Sequence, residues 1–473
     1  MKKTLCWFFC LMAATSFAEW TSTVATDGKS GTLENSENGI VLSVTYGSGK
    51  TITISGVKNL NGHTVLDLSE AVDITITQGA TVYSGRSILG LGNGCFQNQT
   101  ALTEFIPPPT LESIGGNAFR DSKGIVLIDF SKTRLTTIGT YMVYGSDIET
   151  VIFPESLVSI GANFALKNTK FKCLEPKTLP NLTTIGGTAF KESGLTGDYA
   201  FPSLTELGDG AFAGSAVTSV DFSSSQIVKV PSSCFDACAS LSQVRLPNTV
   251  TSFEGNAFRN CLLLSAPDPL LSPLVTAIGQ NAFYNDAMVS GDLVISNPSF
   301  NFLTSGGGSE FRGCDLTSID FTGVTDGLFL TQYCFCGNKN LKKVVLPACK
   351  VAFYTNGNVF RECPKIEEFY FRGPPSPTMT ENALFYNCLS DLTAKFYVPK
   401  GDADWNLFLT TNTDNKVSWV TAALTSAEKE AFAAKWPGER VPTKKVKPTD
   451  SLHYQYLCRW WPNGAPGLTI ILR

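Results

Sequence analysis

Histidine is nearly missing from this chain: its 473 residues include only His63 and His453. A Ser-His-Asp triad, a Cys-His pair or a histidine-rich metal centre has almost nothing to be built from. Charge is scarce as well, with 16% charged residues, 37 basic against 41 acidic, and a formal net charge of −4. Such a chain is a poor match for nucleic acid, where affinity comes mainly from neutralising phosphates. The one basic cluster, Lys444, Lys445 and Lys447, is short and reads as a solvated linker. "SGGGSE", from Ser305 to Glu310, lacks the Lys-Ser/Thr ending of a phosphate loop. No apolar run beyond the N-terminus has the roughly 20 residues needed to span a bilayer.

The N-terminus itself, "MKKTLCWFFCLMAATSFAEW", has Lys2 and Lys3, an apolar run, and Ser16-Phe17-Ala18 as a small-x-small cleavage signal. It reads as a secretory signal peptide over residues 1–18. Its removal leaves 35 basic against 41 acidic residues, a net charge of −6, and twelve cysteines. The remainder, rich in apolar residues with 41 glycines and 32 phenylalanines, is too hydrophobic for a disordered chain and contains many turns and large core fillers.

A repeat organises it. "SIGGNAFRDS" from Ser113 returns as "TIGGTAFKES" from Thr184, "SFEGNAFRNC" from Ser252 and "AIGQNAFYND" from Ala277. Aligned on the aromatic of Ala-Phe, the anchors are Phe96, Phe119, Val143, Ala165, Phe190, Phe212, Phe235, Phe258, Phe283, Phe311, Phe335, Phe360 and Phe385. Thirteen anchors at steps of 22 to 28 residues predict a solenoid, whose units bury their apolar sides only by stacking on one another. Each unit ends in an alternating stretch such as Leu241-Ser242-Gln243-Val244-Arg245-Leu246-Pro247, a short strand stopped by proline. The glycine after the first Ile is expected to permit a tight corner, the small Ala to let backbones approach, and Phe to fill the space between turns.

The Leu-x-x-Ile-Gly-x-x-Ala-Phe pattern, the Cys or Ser three residues after Phe, and the Val-x-Leu-Pro ending resemble the BspA-type leucine-rich repeats of secreted bacterial surface proteins. The resemblance covers about Ser87 to Lys400. It implies a mainly β leucine-rich-repeat solenoid with few helices, and a role in surface adhesion or protein interaction. Val143 and Ala165, in place of Phe, and the glycine-rich stretch 297–308 depart from the pattern.

Cysteine follows the same register. Cys238, Cys261, Cys314, Cys363 and Cys388 lie three residues after the anchor, where Ser122, Ser146, Ser193 and Ser215 stand in other units. Cys95, Cys234 and Cys334 take the Ala place. These eight read as small interior residues, although a bridge between neighbouring units, Cys238 to Cys261 or Cys363 to Cys388, stays open because rungs lie about 4.7–4.9 Å apart. Neither Cys234 with Cys238 nor Cys334 with Cys336 has the second close pair or histidine that zinc requires, so no metal and no cofactor is expected.

Outside the repeat, residues 19–86 hold alternating strands ("GIVLSVTYG", "TITISGV", "VDITIT") and read as an N-terminal β cap. Residues 87–400 form the solenoid. Residues 401–473 contain a helix opened by Thr425-Ser426-Ala427-Glu428, a linker, and the apolar strand "LTIILR". That strand either docks on the body or serves as a sorting signal.

Catalysis has little support. Asp129, Asp221 and Asp320, in "IDFS", "VDFS" and "IDFT", belong to separated units and cannot share the paired-carboxylate site of a glycosidase. The better candidate is a surface. Outward strand positions in the last three units stack Lys343, Glu368 and Lys395 in one row and Val345, Tyr370 and Tyr397 in the next. An aromatic row with a charged border has the composition of a protein contact site, and equally of a sheet stabilised by cross-strand pairs. The expected function is a secreted or cell-surface, non-enzymatic scaffold that binds an extracellular protein or glycan, with no nucleic acid partner and no transmembrane span after leader cleavage. The alternative is a structural envelope or matrix component, attached through its C-terminal tail or self-associating through its ends.

Overall fold

The computed structural model describes residues 19–265, 272–286, 289–303, 307–354 and 357–374, together with the strands Lys395–Val398, Val420–Ala423, Lys444–Lys447, Tyr456–Trp460 and Leu468–Leu472. Expectations for the signal peptide, the helix near Thr425, Phe385, Cys388 and His453 lie outside the described residues. The chain divides into two compact units, residues 1–157 and residues 158–473. The solenoid has about 11 turns, slightly fewer than the thirteen anchors, the last of which is Phe385. Among the described residues the only helical element is a 3-10 turn, Ser48–Lys50.

In the first unit, Trp20–Val24, Ser30–Asn35, Val41–Tyr46 and Ile52–Asn59 form an antiparallel meander. Its last strand pairs in parallel with Ile88–Leu91, which pairs with Ser113–Ile114 and then Thr137–Ile138. The meander thus occupies the edge that the first coil would otherwise leave unpaired.

Turns of the second unit contribute short strands to two kinds of parallel ladder. One holds the residue before Ile and Ile itself, as in Ser159–Ile160, Thr184–Ile185 and Glu206–Leu207. The other holds the alternating strand of the sequence pattern, as in Ser290–Val294, Asp315–Asp320, Lys343–Val345, Glu368–Tyr370 and Lys395–Val398. In Gln243–Arg245, Asp315–Asp320, Lys343–Val345 and Glu368–Tyr370 the alternation turns Val244, Ile319, Val344 and Phe369 inward, and all four are buried.

Between the ladders lies the anchor. Phe96, Phe119, Phe190, Phe212, Phe235, Phe258, Phe283, Phe311, Phe335 and Phe360 are fully buried, as are Val143 and Ala165. From Phe212 the rings run nearly parallel: 5.4 Å and 5° to Phe235, then 5.2 Å and 4° to Phe258. The column continues through Phe283, Phe311, Phe335 and Phe360 at centroid distances of 5.1 to 5.6 Å. Where Ala165 leaves a gap, Phe164 in the Ala place supplies a ring 5.8 Å from Phe190 at 71°.

The corner differs from the expectation. In every turn from Phe96 to Phe360 the residues two before and two after the anchor have positive φ, for example Asn256 (58°) and Asn260 (61°) around Phe258. Left-handed backbone falls at these two sites, where Asn and Gly are common because they tolerate it. The glycine after Ile has no positive φ in Gly139, Gly186, Gly208 or Gly279. Its role is proximity: a Cβ would lie 2.4 Å from Gly115 at Gly139, 2.4 Å from Ala162 at Gly186 and 2.2 Å from Gly187 at Gly208. That approach lets anchor amides bond the next turn, as in Phe212 N–H to Cys234 O (2.9 Å) and Phe235 N–H to Ala257 O (2.8 Å).

The position three residues after the anchor has a role beyond size. In several turns its side chain donates to the anchor carbonyl of the preceding turn: Ser122 Oγ to Phe96 (2.6 Å), Cys238 Sγ to Phe212 (3.0 Å), Cys261 Sγ to Phe235 (3.0 Å) and Cys314 Sγ to Phe283 (3.1 Å); Ser146 and Ser193 donate instead to the anchor carbonyl of their own turn, Val143 (2.9 Å) and Phe190 (2.7 Å). Cys238 and Cys261 carry free thiols. One turn places Asp286 here, with Oδ1 accepting from Cys261 N–H at 2.7 Å and Oδ2 buried without a partner. Burial pushes its carboxyl up to about 9. In the next turn the Ala place holds Glu310, also fully buried, with Thr331 Oγ1 donating to Oε2; burial pushes this carboxyl up to about 7.

Two outcomes follow from this packing. Phe235→Ala removes a ring contacted on both sides and is expected to cost about 3–5 kcal/mol, read as a lower urea midpoint. Because Asp286 and Glu310 have raised folded values, their stabilisation is complete at acid pH and lost as pH rises, from 3.8 to about 9 for Asp286 and from 4.5 to about 7 for Glu310. Urea midpoints should therefore fall across that window, and Asp286→Ser should flatten its alkaline part.

Candidate interaction surface

From Asp315–Asp320 to Lys395–Val398 the strands of the second unit are parallel and in register, so their outward residues form continuous rows. Lys343 pairs with Glu368 and Glu368 with Lys395, while Val345 pairs with Tyr370 and Tyr370 with Tyr397. The backbone thus aligns all six as the sequence pattern anticipates. Lys343 is exposed, whereas Val345, Glu368 and Tyr370 are half-buried. The Lys343 ammonium lies 5.5 Å from the Tyr370 ring centroid, and Tyr370 O–H donates to Glu368 Oε2 at 3.1 Å. These contacts restrain the side chains on the outer face.

The rows extend further than the sequence pattern indicates. Asp292 pairs with Ser318 and Ser318 with Lys343; Val294 pairs with Asp320 and Asp320 with Val345. One row therefore reads carboxylate, hydroxyl, ammonium, carboxylate, and, at Lys395, a further basic position. Asp292 Oδ1 accepts from Thr317 Oγ1 at 2.8 Å and Ser318 Oγ at 2.6 Å, which holds its carboxyl below the ordinary range.

The same device occurs at Asp198, bonded by Thr218 Oγ1 (2.6 Å) and Ser219 Oγ (2.7 Å) and likewise lowered. Both aspartates follow a glycine of positive φ, Gly197 at 101° and Gly291 at 87°, and both sit at a register shift. The signal was available as Gly-Asp in one unit and Thr-Ser in the next, "TGDYA" with "AVTSVD" and "SGDLV" with "DLTSID".

Asp129, Asp221 and Asp320 have local roles. Each accepts from the amide two residues on: Ser131 and Ser223 at 2.8 Å and Thr322 at 2.7 Å. They close the turn that follows the strand. His63 lies in a turn, its amide bonding Leu60 O at 2.9 Å. Among the described residues no group of three or more His, Cys, Asp or Glu is placed to hold a metal ion, and no helix is long and apolar enough to cross a membrane.

The first unit contributes a separate groove of about 460 Å³. Ile106, Pro107 and Leu127 give it apolar lining, with Glu104, Asp129 and Lys132 as charged neighbours. Its volume falls in the range of small-ligand pockets.

A family model described as BspA type leucine-rich repeat region, in six copies, matches residues 90–202, 165–290 and 271–393. No curated relative matches the chain. Among solved structures, a leucine-rich cell surface protein from Faecalibacterium prausnitzii is similar at 17% identity over 77% of this chain and 95% of its own, with a TM-score of 0.35. The pneumococcal vaccine antigen PcpA is similar at 15% identity over 81% of this chain and 97% of its own, with a TM-score of 0.36. A leucine-rich repeat protein from Bacteroides ovatus is similar at 17% identity over 72% and 97%, with a TM-score of 0.31.

Proposed function

We propose, for a chain that belongs to the BspA-type leucine-rich repeat family, that it is a non-enzymatic binding scaffold on the cell surface or secreted from it. Its partner is an extracellular protein or glycan, and the strand rows around Lys343, Val345, Glu368 and Tyr370, extended by Lys395 and Tyr397, are the contact surface. The observation that carries this reading is the register of the parallel strands. It brings an aromatic and two opposite charges together on an accessible face while Val344 and Phe369 at the strand centres are committed to the core.

Such a face needs no pocket. A partner can bury Tyr370 and the stem of Lys343 while pairing their polar ends, the arrangement from which interface hot spots draw their energy. The C-terminal tail has a structural part in this reading, because Leu468–Leu472 pairs antiparallel with Lys395–Val398 and with Tyr456–Trp460. Its backbone continues the sheet from the last repeat strand, which supports a capping role over a free attachment signal.

The test is capture of partners by the full chain from extracellular-matrix and bacterial-envelope fractions, followed by affinity measurement on whatever is recovered. A Lys343→Glu/Tyr370→Ala variant with an unchanged thermal transition should bind at least about tenfold more weakly. Leu127→Asp, in the groove of the first unit, should bind normally. Undiminished binding by the double variant, or loss confined to Leu127→Asp, would reject this surface.

A further inference from the structure

One cysteine stands apart from the rest. Cys95, Cys234, Cys238, Cys261, Cys314, Cys334, Cys336 and Cys363 are buried. Burial pushes Cys95 and Cys238 up to about 12 and Cys336 up to about 11, so these thiols resist ionisation. Cys173 lies at an outward, half-buried position of the strand Cys173–Glu175, and its sulfur is held between two charged groups.

Cys173 Sγ donates to Glu175 Oε1 at 3.3 Å and accepts from Lys177 Nζ at 3.1 Å. Lys177 is fixed in turn by a 3.1 Å bond to Tyr199 Oη and lies 4.6 Å from the centroid of that ring. Tyr199 commits its own proton to Thr196 O at 3.0 Å, and its oxygen accepts from Lys177 and from Leu174 N–H at 3.3 Å. Burial by itself would lower the Lys177 ammonium, but its hydrogen bonds to Cys173 and Tyr199 outweigh that and raise it, so it stays charged. Glu175 and Lys177 are 3.7 Å apart, with side chains 42% and 41% exposed, so a small solute can reach the cluster.

We propose that Cys173 is a peroxide-reactive modification site, at which a hydroperoxide oxidises the thiol to a sulfenic acid. Glu175 Oε1 takes the thiol proton as the sulfur attacks the nearer peroxide oxygen. The S–O bond forms, the O–O bond breaks, and the departing oxygen takes a proton from Lys177 Nζ and leaves as water or alcohol. Proton return from Glu175 to Lys177 restores both groups. Sulfur loses two electrons and the peroxide gains them. Nucleophile, proton acceptor and proton donor are thus set within hydrogen-bond reach by one strand and the residues that follow it. This site is independent of the proposed binding surface.

The experiment treats the reduced full chain with hydrogen peroxide, traps sulfenic acid with a 1,3-dione reagent, and follows each cysteine peptide by mass spectrometry. Cys349, half-buried with its thiol directed to Val324 O at 3.6 Å, is the internal reference. Cys173 should be labelled at least about tenfold faster than Cys349, as a thiol beside a cation reacts ahead of an ordinary one. Lys177→Met and Glu175→Gln should each slow it about tenfold, and Lys177→Arg should recover part of the loss. Equal rates at Cys173 and Cys349, or an unchanged rate in Lys177→Met, would overturn the proposal. Should Lys177→Met fail to fold, the wild-type comparison alone decides it.

Discussion

The close approach of one turn's corner to the next is the constraint from which the other features follow. Adjacent backbones at Gly186 and Ala162, or at Gly208 and Gly187, come nearer than any side chain would allow. Only at that separation can the anchor amide reach the carbonyl before the next anchor, and only then do the phenyl rings meet face to face at 5.1 to 5.6 Å. Two left-handed residues per corner turn the chain sharply enough to return it to the strand face. Glycine, anchor and left-handed pair are therefore parts of one geometric solution.

That geometry explains the residues that otherwise invite functional readings. Ser and Cys three places after the anchor satisfy a buried anchor carbonyl, of the preceding turn at Ser122, Cys238 and Cys261 and of their own turn at Ser146 and Ser193, so the abundance of cysteine reflects hydrogen bonding in the core. Asp129, Asp221 and Asp320 close turns through amides two residues downstream. Beside these, the outer face of the described strands carries ordered polar groups. They include two aspartates clamped by hydroxyls, the Lys343, Glu368 and Tyr370 group, and the cluster around Cys173.

Buried carboxyls mark where the repeat is least regular. Asp286 replaces a small donor and Glu310 replaces Ala, in successive turns next to the longest step between anchors. A neutral acid fits each site and an ionised one does not, since neither carboxyl has a full set of hydrogen bonds. Stability in this part of the second unit is thereby tied to proton activity, through side chains that are core-filling in all other respects.

Periodicity carried most of the architecture. The Ala-Phe anchors, the alternation in Leu241 to Pro247, and the equivalence of Cys238 with Ser215 follow from the sequence because a solenoid repeats one local environment, and similar residues at a fixed spacing report it directly. The outward rows were legible for the same reason, since a parallel in-register ladder adds one strand per period. Tertiary structure decided what depends on neighbouring turns: the glycine after Ile answers to the backbone beside it and not to its own φ, the cysteine thiols bond carbonyls 26 residues away at Cys238 and Cys261, and Asp292 finds Thr317 and Ser318 only across strands. The contact among Cys173, Lys177 and Tyr199 belongs to the same class. Spacing along the chain gives the order of the turns and their approximate number, whereas distances between them arise only when stacking brings separate segments together.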